Sequence, residues 1–125
     1  MERNWDTIRE ILLGLEEKRP DKHTLRLSDF PTNRAAEISY HVELLMEAGL
    51  IHGQMSKTLS PDPSDFMAIR LTWSGHELLD AIKSDTIWRK TKESFISKGV
   101  SMTFDLVKSV AIDISAAYIK GHIGA

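Results

Sequence analysis

The stretch "EISYHVELLMEAGLIHG", Glu37 to Gly53, restricts the possible folds of this chain more than any other. Ile38, Val42, Leu45 and Met46 recur at helical spacing and lay one apolar stripe along a helix over 33–48. Thr32 or Asn33, after Pro31, opens that helix. Gly49 is the residue type that closes one in a left-handed turn. Leu50 to Met55 then reads as a short strand and Phe66 to Leu71 as its partner. The segment between them, "SKTLSPDPSD", has the prolines, aspartates and serines of a flexible hairpin loop. Helix, glycine stop, strand, polar loop and returning strand form the second half of a winged helix, in which the helix commonly reads DNA and the hairpin is the wing.

The flanking segments extend this pattern. Trp5, Ile8, Ile11, Leu12 and Leu15 mark a helix from Trp5 to Lys18, capped by Asn4 or Asp6 and stopped at Arg19-Pro20-Asp21. Leu25 and Leu27 alternate with polar neighbours, which predicts a short strand over 24–28. Thr72 or Ser74 caps a helix whose core face is Leu78, Leu79 and Ile82. Ser84-Asp85-Thr86 interrupts it, giving helices over about 74–83 and 86–97. After a break at Lys98-Gly99, Asp105 caps a last helix to about Lys120. There Val107, Val110, Ala111, Ile114 and Tyr118 form one stripe, while Ile112, Ala116 and Ile119 lie on the other side. A helix apolar on two sides wants a second surface, either within the chain or on a second copy as a homodimer seam. Trp73 and Trp88 are expected to pack with this helix, since large aromatics at helix junctions pin elements together. The fold expected is α+β: one domain over 1–125, with a winged-helix-like core of helices and a small antiparallel sheet over roughly 4–83, and a C-terminal helical extension over about 85–120.

A length of 125 residues is one domain's worth, long enough to bury a core without staples. There is no cysteine, which excludes disulfides and thiolate zinc sites and points to the cytoplasm. The N-terminal "MERNWDTIRE" has no apolar run of the kind a secretory leader carries, and no segment approaches the roughly eighteen apolar residues of a membrane span. The net charge of −2 lowers the expectation of DNA binding without excluding it, because one basic face can suffice.

Four phrases occur in order: "DTIREIL" at 6–12, "YHVELLMEAGLI" at 40–51, "LTWSGHELLDAI" at 71–82 and "DTIWRKTKE" at 85–93. Together they resemble the domain-of-unknown-function 2513 family, small winged-helix-like proteins of bacteria and their phages, from about Asn4 to Asp113. The resemblance implies that fold and a phage or mobile-element setting; it implies no reaction.

Two features of the sequence count against an ordinary DNA reader. The place of the supporting helix that braces a recognition helix is taken by "TLRLSDFP", bracketed by Pro20 and Pro31 and too short for a full helix. The helix over 33–48 itself carries Arg34 against Glu37, Glu43 and Glu47, with Ser39, Tyr40, Glu43 and Glu47 opposite its core stripe. Carboxylates there would meet phosphate repulsion, and glutamate is a minority base reader. If duplex DNA is bound, the candidate contacts are Arg34 and Tyr40 on this helix, Lys57 and Arg70 on the wing, and the positive cluster Arg89, Lys90 and Lys92.

Nothing in the sequence signals catalysis. No two of the five histidines have the i, i+3 or i+4 spacing of helical metal ligands, so no metal or cofactor is called for. His41 borders the core stripe and is expected to be a buried histidine making a structural hydrogen bond. Ser74-Gly75-His76 lacks the nucleophile-elbow pattern, and Gly49 and Gly75 read as backbone punctuation. Two readings stay open: a winged-helix DNA-binding regulator, placed first on the fold prior, and a non-enzymatic protein-interaction module on the same scaffold.

Overall fold

The computed structural model describes residues 1–19 and 21–123. Pro20, one of the expected helix stops, lies outside the described residues, as do residues 124–125 and the side chains at 122 and 123. The protein is mixed α+β, with five α-helices and a two-stranded antiparallel sheet among the described residues. It divides into two compact units, residues 1–76 and 77–125. No described helix is long and apolar enough to cross a membrane.

In the first unit, α1 runs from Trp5 to Glu16, and its N-cap is Asn4, whose Oδ1 accepts from the backbone N–H of Asp6 and Thr7. Its stripe of Trp5, Ile8, Ile11, Leu12 and Leu15 is buried. The expected strand over 24–28 is reduced to a single bridge. Leu25 exchanges both backbone hydrogen bonds with Ala68 at 2.8 and 2.9 Å, and the chain then turns into a 3-10 segment, Leu27–Asp29. The physical reason lies in Asp65, whose carboxylate takes the Leu27 N–H that the next rung of the ladder would use, while Asp29 takes the outward Arg26 N–H and turns the chain into the 3-10 segment. A second 3-10 turn, Thr32–Arg34, leads into α2, Ala35–Glu47, so this helix starts later than expected and without a side-chain cap.

Helix α2 ends as its sequence predicts. Gly49 has φ +72°, Gly49 N–H donates to Met46 O, and Leu50 N–H donates to Leu45 O, the paired bonds of a Schellman motif. Strands β1, Ile51–Met55, and β2, Phe66–Leu71, follow. Gly53 pairs with Ala68 and His52 with Arg70, which leaves Ile69 as an extra residue in β2. This bulge shifts the alternation by one, so that Phe66, Ala68 and Leu71 all face inward.

Helix α3, Trp73–Ile82, begins in the first unit and continues into the second. Thr72 caps it, its Oγ1 accepting from Gly75 N–H. In the second unit, α4, Asp85–Lys98, is capped by Ser84 and closed by Gly99 at φ +63°. Helix α5, Phe104–Ile123, packs on α4. Thr103, rather than the expected Asp105, caps α5 by accepting from Leu106 N–H, and Asp105 sits in its first turn. Leu78, Leu79, Ile82, Trp88, Phe95 and Val107 are buried. Trp73 overturns the expectation that it packs on the terminal helix: it is 80% exposed, because it is the first residue of α3 and the helical stripe that Leu78, Leu79 and Ile82 define leaves it outside.

Candidate functional site

The interior contacts that hold α2 decide which of its groups are left to act. His41, one residue from the middle of the "ISYHVELL" turn, is 1% exposed. Its Nε2 lies 2.8 Å from the backbone N of Asn4 and its Nδ1 2.7 Å from Glu37 O. A backbone N–H can only donate, so Nε2 accepts and Nδ1 carries the proton given to Glu37 O. His41 thus ties α2 to the capped start of α1. Ser39 corrects the expected outer face: it is buried and donates to Ser64 O at 2.7 Å, because the returning end of the hairpin loop lies over it. What remains outward on α2 is Tyr40, edge-on to His41, together with Glu47 and the half-buried Glu37 and Glu43.

The candidate cations of the first unit are already engaged. Arg34 donates to Glu37 Oε2 at 2.6 Å and to Glu10 Oε2 at 2.8 Å, and these two carboxylates hold its guanidinium more firmly charged than usual. Lys57, on the hairpin loop, faces Glu43 at 3.8 Å, and Arg70 donates to Leu71 O. Lys22 pairs with Asp29, and Arg26 with Asp65. Residues 1–76 hold nine lysines and arginines against twelve aspartates and glutamates. The remaining candidates lie in the other unit: on α4, Arg89 and Lys90 are exposed, while Lys92 lies half-buried over the Trp88 ring and Lys90 near the Tyr118 ring. The structure therefore separates Arg34, Tyr40, Lys57 and Arg70 from Arg89, Lys90 and Lys92 into two units.

The Arg26–Asp65 pair closes the base of the hairpin. Asp65 accepts from Arg26, Leu27 N–H and Phe66 N–H, and the Arg26 guanidinium holds its carboxyl below the usual carboxylate range. Asp29 is lowered in the same way by Lys22. A folded pKa below the unfolded value of about 3.9 adds stability above that value and loses it as pH falls through the folded one. Asp65→Asn is expected to cost about 1 kcal/mol at neutral pH, a modest figure because the pair is more than a third exposed. Urea melts should show that gap at pH 7 and a smaller one at pH 3; an equal gap at both would refute the assignment.

One contact set was not foreseen from single residues, although the sequence contains both of its halves. Thr72 Oγ1 donates to Gly49 O at 2.6 Å and Thr72 N–H to Leu50 O at 3.0 Å, so "EAGLI" and "LTWSG" clasp one another. Gly75 sits against Leu50 O, where a Cβ would overlap that carbonyl. Gly75 is therefore a close-approach residue inside α3 rather than punctuation.

On α5, Ile112 and Ile119 are 49% and 54% exposed, and Ala116 lies exposed between them. They border a groove of about 420 Å³ beside the C-terminal half of α3, where Lys108 faces Glu77 at 3.8 Å. Among the described residues, no three histidines or carboxylates gather as metal ligands.

Residues 2–101 match the family described as hypothetical protein (DUF2513). A protein of Haemophilus influenzae, described as "Uncharacterized protein", is 40% identical over 111 residues, covering 89% of this chain and 92% of its own length. No solved structure matches.

Proposed function

Taking as premise that the chain belongs to the DUF2513 family, we propose that it is a non-enzymatic protein-interaction module built on a winged-helix scaffold. The observation that carries this reading is the state of Arg34. The only cation of the candidate reading helix is held by Glu10 and Glu37, and the rest of that face presents carboxylates and Tyr40. A duplex would have to displace those pairs and then sit against glutamates. The exposed Ile112, Ala116 and Ile119 of α5 supply the kind of apolar surface a protein partner covers.

The second reading, a DNA-binding regulator, rests on element order. Helix, bridge at Leu25, helix, strand, loop and strand follow the winged-helix order apart from its supporting helix, whose place is held by the 3-10 turns Leu27–Asp29 and Thr32–Arg34, and Arg89 and Lys90 are exposed. A gel-shift titration at low salt separates the two. The module reading expects no shift of random or own-promoter duplex at micromolar protein. A shift that weakens steeply with salt, and weakens again on charge reversal of Arg89 and Lys90, would establish the regulator instead.

A further inference from the structure

We infer that the exposed face of α5 is a self-association surface, taking the α5 of a second copy in antiparallel orientation. This rests on the interaction-module reading and specifies its partner.

Helix α5 carries two stripes. Val107 and Ala111 are buried within the unit. On the opposite side Ser109, Ile112, Ala116 and Ile119 are all exposed and follow one another at intervals of three, four and three residues. That is the spacing of a two-helix seam, and no charged side chain interrupts it. Large and small residues alternate along it, which selects the orientation. With a two-fold axis at the height of residue 114, Ile112 of each copy meets Ala116 of the other, and Ile119 meets Ser109. Each layer then pairs a branched side chain with a small one, which fills space evenly. A parallel pair would instead stack isoleucine on isoleucine and alanine on alanine, alternating crowding with gaps. It would also bring the two Asp105 side chains together at the same end. The antiparallel pair carries Asp105, exposed in the first turn, toward the end of the partner helix that bears the exposed Lys120. The two exposed Asp113 side chains flank the axis in this pair, so the orientation is argued from the large-on-small packing and from the Asp105–Lys120 ends.

The seam is short. With four positions over eleven residues, the association is weak and concentration-dependent. The absence of cysteine allows a direct test, because introduced thiols are the only ones present. Ile112→Cys and Ala116→Cys are made separately; both positions are exposed, and thermal melts confirm the folds. An equimolar mixture under mild oxidation is expected to form the 112–116 cross-link several-fold faster than either variant cross-links with itself, since like positions are offset by about 6 Å along the seam. Faster 112–112 and 116–116 cross-links would overturn the antiparallel register. Light scattering of the unaltered chain showing only monomer up to about 1 mM would overturn the self-association altogether. Both readouts are taken without DNA, so a positive gel shift, which would sink the module reading, leaves this test intact.

Discussion

Gly75→Ala is expected to cost at least about 3 kcal/mol, a large share of the roughly 5–15 kcal/mol that holds a domain of this size together. Helix propensity alone gives the opposite sign, because replacing a glycine inside a helix by alanine usually gains about 0.5–1 kcal/mol. Tertiary contact decides the matter. An added Cβ at Gly75 would overlap Leu50 O, which already accepts from Thr72 N–H and belongs to the stretch closing α2. A carbonyl so held cannot move aside as a flexible side chain would, so the clasp between α2 and α3 must open. Gly53 has the same character, facing Met67 O across the hairpin, whereas Gly49 meets nothing within 4 Å and is needed only for its positive φ. Urea denaturation of Gly75→Ala and Gly49→Ala should therefore differ, with the second losing only about 1 kcal/mol. Equal losses, or a Gly75→Ala protein as stable as its parent, would remove the clasp from the account of this fold.

His41→Ala should cost about 2–4 kcal/mol, combining a cavity with the loss of the ring that accepts Asn4 N–H and donates to Glu37 O. His41→Phe separates the two contributions, since it fills the space and supplies no acceptor. If the hydrogen bond matters, the phenylalanine variant recovers only part of the loss and amide exchange at Asn4 speeds up. Imidazole nitrogen chemical shifts give a second check: the ring should be protonated on Nδ1 alone. A ring protonated on Nε2 would contradict the bond to Asn4, and with it the anchoring of α1 to α2.

The helices were legible because their signals are local. The stripe of α1, the left-handed glycine after α2, the threonine before α3 and the break at Gly99 each depend on residues within a turn or two of one another. The structure departs from the local pattern where a longer-range competitor meets it. Leu25 and Leu27 alternate like a strand, but Asp65 takes the Leu27 donor of the next rung and leaves one bridge. Ser39 is expected on the outer face of its helix, yet it borders the core stripe and Ser64, twenty-five residues on, covers it. Trp73 reads as an anchor by size and position, and the face it falls on leaves it in solvent.

The same division holds for the candidate site. The acidic character of α2 and the second apolar stripe of α5 are properties of composition at fixed spacing, so both can be read without the fold. The sequence also holds both halves of the Gly49–Leu50 and Thr72–Gly75 clasp without indicating that they touch. That Arg34 pairs with Glu10, twenty-four residues away, that His41 is buried with its proton on Nδ1, and that Ser109, Ile112, Ala116 and Ile119 remain exposed once the other stripe of α5 is buried are visible in the folded chain alone. The reason is physical. Periodicity specifies which residues share a face, whereas the partner of a charge, the owner of a hydrogen bond and the covering of a face depend on chain segments that only folding brings together.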